Sequence, residues 1–383
     1  MISSLRLLNF KCFGDLSLPM TPLTLLCGLN GMGKSSVIQA LLVLRQSYQL
    51  GELLNGRLVL GGDLADLGTG ADILFEDAAE DMIAFELESS EPGMPRWSLT
   101  FDYTRDADEL AVRPVRSPQP TSHALLPSHV PVPWRERPPC GGSVVYVNAE
   151  RIGPRKLHQL SETRAHVGDF GARGEYALNY LTLNQTMRLT DDDPRSIATT
   201  SHRLADEVYG WLQEVTPGVH LELERIQRAD AVIAGFRFER RGDVASRPYR
   251  PTNVGFGLSY VLPVVVALLT APSGSLVIVE NPEAHLHPRG QTKLAELASR
   301  AALAGVQVLV ETHSDHFMDG VRIAVRDRIL TPDTLSFHYF AQEDSRFVVK
   351  SPTVYPDGRL SEWPSGFFDQ RDENLVRLLA PRD

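Results

Sequence analysis

Alternating and continuous apolar runs divide the first hundred residues into short predicted strands and one predicted helix. Residues 2–10 alternate apolar and polar side chains, and 16–18 and 23–26 are two further short apolar segments, so three strands are predicted. An apolar-periodic helix is predicted at roughly 37–50, shortly after the third strand. Four β-compatible segments follow, divided by glycine, aspartate and proline: LNGRLVL, ADILF, MIAFELE and RWSLTFDYT.

The pattern changes between residues 113 and 142, where proline is frequent. We expect an extended surface excursion there rather than packed structure. Residues 143–156 predict a buried strand and a charged turn, and 155–190 and 197–215 predict mostly helix. The segments VHLELERIQ and AVIAGFRFERR alternate as a hairpin.

Two strongly apolar strands are predicted in the last third of the chain, and polar residues end or follow each of them. Residues 276–279 end in Glu280, and the strand within 305–319 is followed by Thr-His-Ser-Asp at 312–315. A strongly apolar helix is predicted within 253–269, ahead of both strands. After them we predict a β-hairpin (LSFHYFAQ and RFVVKSPTVY) and a short helix (NLVRLL).

Composition places the chain among soluble globular proteins. Of its 383 residues, 43% are apolar and 22% charged, which are ordinary values for a packed domain. The sequence shows no secretory signal, and the longest apolar run, 258–269, is too short to span a bilayer, so we expect a cytoplasmic protein without membrane contact. The net charge of −10 argues against a surface coated for nucleic acid, although a local basic groove remains compatible with it.

The glycines, lysine and serine after the third strand define a phosphate-binding loop. Residues 28–35 fit G-x-x-x-x-G-K-[ST], with a strand leading in and a helix leading out. Glycines let backbone N–H groups wrap a phosphate, Lys34 would place its charge on the β- and γ-phosphates, and the Ser35 hydroxyl would complete a Mg²⁺ shell. The predicted nucleotide contacts in this loop are Asn30, Gly31, Gly33, Lys34, Ser35 and Ser36.

Three later features point to the same chemistry. An apolar strand ending in an acid, here Glu280, is the second half of a phosphate-loop ATPase and delivers a carboxylate to Mg²⁺ or its water. His313 follows a core strand and can report a γ-phosphate, although alone it would be an ordinary polar strand end. Residues 255–259 open the apolar helix with two glycines and Ser259, and a phosphate site and a simple helix cap fit that pattern equally.

The order of these motifs, with ENPEAHLHP and ETHSDHF, resembles the ABC-type ATPase heads of the RecF, SMC and overcoming-lysogenization-defect (OLD) families. It is most similar to small stand-alone prokaryotic ATPases of that group from anti-phage defence loci, because L-x-x-F-x-x-F at 7–13, VNAERIGPR and YPDGRLSEWPSGFFDQ match that subgroup. The resemblance implies an α/β fold, an ABC-type P-loop ATPase head whose mixed or parallel sheet is flanked by helices, with a β-rich and helical insertion.

We expect five segments along the chain. They are the N-terminal half of the head (1–51), a β-rich and proline-rich insertion (52–142), a helical arm with a hairpin (143–250), the C-terminal half of the head (251–330) and a C-terminal hairpin and helix extension (331–383).

The resemblance also implies two subunits that hold two ATP molecules, with Mg²⁺, between them. The loop of one subunit would bind each ATP, and Gly257 and Ser259 of the other would cap its γ-phosphate. Glu280 would be the carboxylate for the metal together with Ser35, and His313 matches the family's switch histidine. The partners implied are further copies of the chain, in an ATP-sandwich homodimer or a higher oligomer, a separately encoded effector such as a nuclease, and a trigger that could be DNA or a phage protein.

One position departs from the family pattern. The second acid at the end of the strand is replaced by Asn281, and an amide cannot accept a proton as a carboxylate does. Either Glu283 or Glu280 acts instead, or hydrolysis is slow and the protein works largely as an ATP-dependent clamp. We expect weak ATPase activity. The family's glutamine-loop residue has no clear counterpart, and Gln46 is not assigned to it.

Three functions compete at this stage. In the first, the ATPase senses an invader's molecule and holds or releases a toxic effector. In the second, a RecF-like or SMC-like clamp acts directly on DNA in repair or maintenance, although no coiled-coil heptads are present. The third, the ATP-binding subunit of a transporter, is disfavoured by the HLHP and THS segments. The chain itself is not expected to be a nuclease, because nothing in the roughly 70 residues after His313 resembles the metal-binding Toprim domain of OLD nucleases.

The replacement at Asn281 yields a test of the remaining acids. We expect Glu280→Gln to abolish ATP turnover, because it removes the carboxylate that the metal requires. A steady-state phosphate-release assay on the purified protein measures this. If Glu283→Gln turns over ATP normally in the same assay, Glu283 is not the general base.

Overall fold

The computed structural model describes residues 1–114, 129–197, 201–240, 244–344, 346–364 and 370–380. In chain order the strands are β1 Ile2–Phe10, β2 Phe13–Pro19, β3 Leu23–Gly28, β4 Arg57–Val59, β5 Met82–Ser89, β6 Trp97–Asp102, β7 Glu109–Ala111, β8 Val144–Val147, β9 His158–Gln159, β10 Val219–Ile226, β11 Ala231–Arg240, β12 Val244–Ala245, β13 Leu276–Glu280, β14 Gln307–Glu311, β15 Leu335–Glu343 and β16 Arg346–Lys350. The helices are α1 Lys34–Gln49, α2 Gly70–Ile73, α3 Glu162–His166, α4 Ala177–Leu183, α5 Leu204–Val215, α6 Phe256–Thr270, α7 Pro288–Leu303, α8 Asp315–Arg326 and α9 Gln370–Leu379.

A central sheet of order β16-β15-β3-β14-β13-β8 organises the molecule. All neighbouring strands in it are parallel except the β15–β16 pair. Strands β13 and β14 are almost continuously apolar because both faces of a parallel sheet are covered. The carboxyl ends of β3, β14 and β13 therefore lie side by side at one edge, where Leu26 is in register with Glu311 and Glu311 with Glu280.

The two faces of this sheet belong to two different cores. Side chains alternate along each strand, so Val277 and Val279 point to one core while Leu276 and Ile278 point to the other. The first core contains α5, α6, α7 and α8, and the second contains α1 and the N-terminal strands. The mixed sheet flanked by helices confirms the predicted α/β fold class.

The second core is completed by an antiparallel sheet of order β2-β1-β5-β6. The predicted strands at 2–10 and 16–18 are confirmed, as are MIAFELE and RWSLTFDYT. Because β5 pairs directly with β1, this part of the predicted insertion (52–142) belongs to the same sheet as the N-terminal half of the head. The sequence-based division at residue 51 therefore does not separate two folded units.

Two predictions in this region are wrong. The segment ADILF is not a strand, because Thr69 and Asp72 form a capping box that starts the short helix α2 there. Part of the proline-rich region is packed rather than extended, since Trp134 is buried and its indole N–H donates to the carbonyl of Pro95 at 2.9 Å. Residues 115–128 of that region lie outside the described part of the chain.

The middle of the chain is less helical than predicted. Within 155–190 only α3 and α4 are helical, because the turn between them contains three glycines with positive φ. The predicted β10–β11 hairpin is confirmed, with eight antiparallel residue pairs from Val219–Phe238 to Ile226–Ala231. The expected C-terminal hairpin and helix are also present as β15, β16 and α9, but β15 is an inner strand of the central sheet beside β3 and not an appended element.

The long apolar helix α6 is buried within the head and does not cross a membrane. Its residues from Val261 to Leu269 are almost fully covered by the first core. Among the described residues, no helix combines the length and apolarity that a membrane span requires.

A buried amide links the central sheet to the N-terminal sheet, and its removal is testable. Gln307 at the start of β14 accepts from the N–H of Ile2 at 2.9 Å and donates to the carbonyl of Ile2 at 2.6 Å. Gln307→Leu leaves both buried backbone groups without partners, so we expect a loss of about 2–4 kcal/mol in the free energy of unfolding. Urea denaturation measures it.

The matched control is Gln342→Leu, at an exposed position on β15. We expect that control to change the free energy of unfolding by less than about 0.5 kcal/mol. Equal effects of the two changes would show that Gln307 does not hold the sheets together.

Candidate functional site

The predicted phosphate loop lies between β3 and α1, at the carboxyl edge of the central sheet. Gly33 has φ 94°, and a Cβ atom there would lie 2.6 Å from the Cys12 sulfur and would also collide with the Phe13 ring. A side chain at this position is therefore excluded by both backbone conformation and space. The β1–β2 turn thus presses directly against the loop and fixes its shape.

The loop residues surround an open depression of about 260 Å³. Its lining contains every nucleotide contact predicted in the loop, namely Asn30, Gly31, Gly33, Lys34, Ser35 and Ser36, together with Cys12 and Glu311. The N-terminus of α1 also opens here, so unpaired backbone N–H groups and the helix dipole favour an anion. Both the shape and the polarity suit a phosphate group.

Lys34 is folded back into its own loop. Its ammonium donates to the carbonyls of Gly28 at 3.0 Å and Leu29 at 2.8 Å, and it lies 3.7 Å from a carboxylate oxygen of Glu311. Burial lowers the pKa of Lys34, and the Glu311 charge partly opposes that change. The buried ammonium would gain electrostatic stabilisation from an incoming polyphosphate, which carries more charge than one carboxylate.

Glu311 is a site residue that the sequence analysis missed. Its carboxylate accepts from the Ser35 hydroxyl at 3.2 Å, so it lies closer to the predicted metal-binding serine than any assigned acid. Burial raises the pKa of Glu311, and the negative charge of Glu280 raises it further. The available signal was its position at the end of an apolar strand, immediately before Thr312 and His313.

Glu280 ends the neighbouring strand β13 but faces β8. Its carboxylate accepts from the Tyr146 hydroxyl at 3.1 Å and from the Ala149 N–H at 3.3 Å. Burial is the main cause of its raised pKa, and these hydrogen bonds oppose the rise. The role of Glu280 as the metal carboxylate stays a prediction, since in this arrangement Glu311 rather than Glu280 contacts Ser35.

Asn281 adopts a left-handed backbone conformation, with φ 44°. Asparagine tolerates this conformation better than most residues, and aspartate shares that tolerance, so the backbone alone does not select the amide over an acid. Its N–H donates to the Glu311 carbonyl at 2.8 Å, and its side-chain oxygen is buried without a partner among the described residues. The turn after β13 is thus tied to the end of β14.

Glu283 contacts the polar segment that follows β14, residues 312–315. This segment contains His313, the expected switch histidine, and is called the switch segment. One carboxylate oxygen accepts from the Thr312 hydroxyl at 2.8 Å and the other from the N–H of His313 at 2.7 Å. Burial raises the pKa of Glu283 despite these bonds, and burial also lowers the pKa of the His313 imidazole. Glu283 and His313 are therefore held together, with a neutral imidazole at pH 7.

The predicted signature residues lie on a different part of the surface. Gly257 and Ser259 are in the first turn of α6, and among the described residues they do not line the depression around the loop. A Cβ at Gly257 would approach the His285 carbonyl to 2.5 Å, so this glycine is required by close packing. The neighbouring Phe256 is half exposed, which leaves the start of α6 open to a second molecule.

The donor set fits Mg²⁺ only in combination with a nucleotide. Within the described ranges, no group of three or more histidine, cysteine, aspartate or glutamate side chains forms a metal site by itself. Mg²⁺ is typically held by one or two carboxylates or hydroxyls together with substrate phosphates and water. The Ser35 hydroxyl beside the Glu311 carboxylate, with Glu280 on the adjacent strand, supplies that kind of oxygen set.

Gln46 has a structural role. Its amide nitrogen donates to the carbonyls of Val59 and Ala65, and its oxygen accepts from the Ala65 N–H, all at 2.9 Å. These bonds fasten the 59–65 turn to α1.

Two stretches of the chain match models of AAA ATPase domains. Residues 1–91 match a family model described as "AAA ATPase domain", and residues 181–319 match one described as "AAA domain, putative AbiEii toxin, Type IV TA system". Residues 330–378 match a family described as "Protein of unknown function (DUF3696)". No protein of curated function gave a significant match.

Solved structures with a similar fold are SMC heads. An Smc head bound to the C-winged helix domain of ScpA is 15% identical, with 92% of this chain and 97% of that chain covered and a TM-score of 0.52. The SMC head domain from Thermotoga maritima is 13% identical over 92% of this chain and 99% of that one, with a TM-score of 0.47. The first likeness shows the fold, that of an ABC-type ATPase head, and the phosphate loop with the two AAA family matches supports ATPase activity.

The contact between Ser35 and Glu311 predicts a role for Glu311 in metal-dependent nucleotide binding. Glu311→Gln removes the negative charge from the oxygen set but keeps its size. We expect the Mg²⁺ concentration for half-maximal ATP binding to rise roughly tenfold, about 1.4 kcal/mol. Fluorescence titration with a labelled ATP analogue at increasing Mg²⁺ measures it.

Glu343→Gln, at an exposed end of β15, is the matched control and should leave the titration unchanged. An unaltered Mg²⁺ dependence in Glu311→Gln would remove Glu311 from the metal site.

Proposed function

We propose that this ABC-type ATPase binds ATP between two subunits, hydrolyses it slowly, and controls a separate effector in prokaryotic anti-phage defence. The observation that carries the nucleotide part is the cluster of Lys34, Ser35 and Glu311 at the mouth of an intact phosphate loop. The defence part is supported by the family match over 181–319, whose description includes a putative toxin of a toxin–antitoxin system.

In the proposed site, each polar group of the loop acts on a different part of ATP. The Lys34 ammonium would leave the Gly28 and Leu29 carbonyls and bind the β- and γ-phosphates. The Ser35 hydroxyl and the carboxylates of Glu311 and Glu280 would hold Mg²⁺, which neutralises charge that develops on the phosphates. Glu283 would hold the backbone of His313, so that the imidazole keeps a fixed position toward the γ-phosphate.

Slow hydrolysis follows from the absence of a second acid after Glu280. Both oxygens of Glu283 already accept hydrogen bonds from the switch segment, which favours an anchoring role over that of general base. Glu280 would bind Mg²⁺ in this site, and a metal-bound carboxylate is a weak proton acceptor, so neither Glu280 nor Glu283 is left as an efficient general base. Turnover would then depend on Glu280, with ATP binding itself as the main conformational signal.

The two-subunit arrangement is supported by the exposed start of α6. Gly257 and Ser259 lie away from the phosphate loop of their own subunit, partly buried in the first turn of α6 beside the exposed Phe256. A second subunit could present this terminus to a γ-phosphate, where the N–H groups and the Ser259 hydroxyl would donate to it. ATP would then close the dimer, and hydrolysis would open it.

A DNA-repair or DNA-maintenance clamp is the second candidate, favoured by the likeness of the fold to an Smc head. The two functions differ in what they require of DNA. The clamp predicts ATP-dependent duplex binding that weakens steeply with salt. The defence function predicts a toxic protein, such as a nuclease, encoded beside this one, and a neighbour with a pure replication or repair role would contradict it.

Lys34→Ala tests both ATP binding and the control of the effector. We expect ATP affinity to fall at least tenfold, because the loop loses its only charge toward the phosphates, and ATP-dependent dimerisation to disappear. Calorimetry and light scattering with and without Mg-ATP measure these effects. Co-expression with the neighbouring gene should show that wild type, but not Lys34→Ala, controls its toxicity.

Lys156→Ala is the matched control, since Lys156 is exposed on the surface. It should bind ATP, dimerise and control the effector as the wild type does. A wild-type protein that stays monomeric with saturating Mg-ATP would contradict the two-subunit mechanism.

A further inference from the structure

Arg151 is the most deeply buried arginine within the described part of the chain. Only 1% of its surface is exposed, and its Nη2 donates to the backbone carbonyls of Glu280 and Asn281, the latter at 2.8 Å. Burial lowers its pKa to about 10, while the nearby carboxylates of Glu283 and Glu280 oppose that change. The guanidinium therefore stays charged at neutral pH and binds the turn at the end of β13.

The bonding of this guanidinium is incomplete. Its Nε and Nη1 are buried and have no partner within the described ranges, and the same is true of the side-chain oxygens of Asn148 and Asn281. Buried polar groups without partners are costly, and native proteins keep few of them. They lie at one place, because Asn148 follows β8 and Asn281 follows β13, two adjacent parallel strands.

The segment that carries Arg151 also contacts the start of α6. The guanidinium carbon lies 5.8 Å from the centre of the Tyr260 ring, and Gly153 lies beside the ring of Phe256. The Tyr260 ring meets the edge of His285, in the turn after β13, with ring centres 4.9 Å apart. Arg151 thus joins the Glu280–Asn281 turn to the first turns of α6 by direct contacts on both sides.

A second connection fixes this segment in place. The N–H of Ile152 donates to the Arg173 carbonyl at 2.9 Å, and a Cβ at Gly174 would approach Pro263 of α6 to 2.5 Å. The 148–153 segment therefore cannot move without displacing either the turn after β13 or α6.

We propose that Arg151 is a positioning residue that couples the Glu280–Asn281 turn of the nucleotide site to the exposed N-terminus of α6. If the turn shifts when nucleotide binds, the guanidinium bonded to it would move as well. Because the guanidinium contacts the Tyr260 ring, the first turn of α6 with Gly257 and Ser259 would change its position and exposure. This coupling rests on the proposed function, because it needs a nucleotide at the loop, but it concerns only residues of one subunit.

Hydrogen–deuterium exchange with and without Mg-ATP tests the coupling. In the wild type we expect nucleotide to slow exchange both in the loop, residues 28–40, and at the start of α6, residues 253–263. In Arg151→Met the loop should keep its protection, with ATP affinity within about threefold of wild type, while protection at 253–263 falls to less than a third. ATP turnover should fall at least tenfold, and Arg151→Lys should recover part of both effects because it restores the charge.

Arg155→Met is the matched control, because Arg155 is an exposed arginine just beyond this segment. It should behave as wild type in both regions. Equal protection of 253–263 in Arg151→Met and wild type overturns the coupling, as does a wild type in which 253–263 does not respond to nucleotide. Absence of protection in the wild-type loop refutes the proposed nucleotide binding instead.

Loss of protection in the loop of Arg151→Met would indicate a damaged fold. In that case a second pair of variants tests the coupling. Tyr260→Leu removes the ring under the guanidinium but leaves the hydrogen bonds of Arg151 to the turn, and Tyr260→Phe keeps the ring. Loss of the response at 253–263 in Tyr260→Leu alone supports the coupling. The same response in both variants overturns it.

Discussion

Parallel pairing of β3, β14 and β13 is the constraint on which the site depends. These strands place the phosphate loop, Glu311 and Glu280 at one edge of the sheet, although the chain positions are far apart. Both faces of the sheet are covered by separate cores, so a shift of register would move apolar side chains from one core to the other. The positions of the acids relative to the loop are thus fixed by packing and not by contacts among the acids themselves.

This arrangement buries several charged side chains close to one another. Lys34 and Arg151 are nearly inaccessible, and burial raises the pKa of Glu280, Glu283 and Glu311. Such a cluster is poorly stabilised without ligand, because desolvation of buried ions commonly exceeds their mutual attraction. In the proposed function, a polyphosphate with its metal would supply partners for these groups. Charges that add little to the stability of the fold would then contribute to the affinity for nucleotide.

The sequence was sufficient where local pattern and chemistry agree. The phosphate loop follows from glycine spacing between a strand and a helix, and β13 and β14 follow from continuous apolar runs. The sequence was insufficient where a contact between distant parts of the chain determines the position of a residue. Glu311 was overlooked because only the folded sheet brings it to Ser35. Trp134 was assigned to an extended excursion because prolines dominate its surroundings, whereas its ring packs against Trp97 with centres 5.8 Å apart.

The place of β15 beside β3 has a consequence for biosynthesis. The loop strand lies between β14 and β15, so it gains its neighbours on both sides only when residues about 300 positions later have left the ribosome. At translation rates of about 5–20 residues per second, the backbone groups on one or both edges of β3 stay unpaired for roughly 15–60 s. A strand edge exposed for that time can pair with other chains. Newly made chains are therefore vulnerable to misassembly at the strand that leads into the phosphate loop.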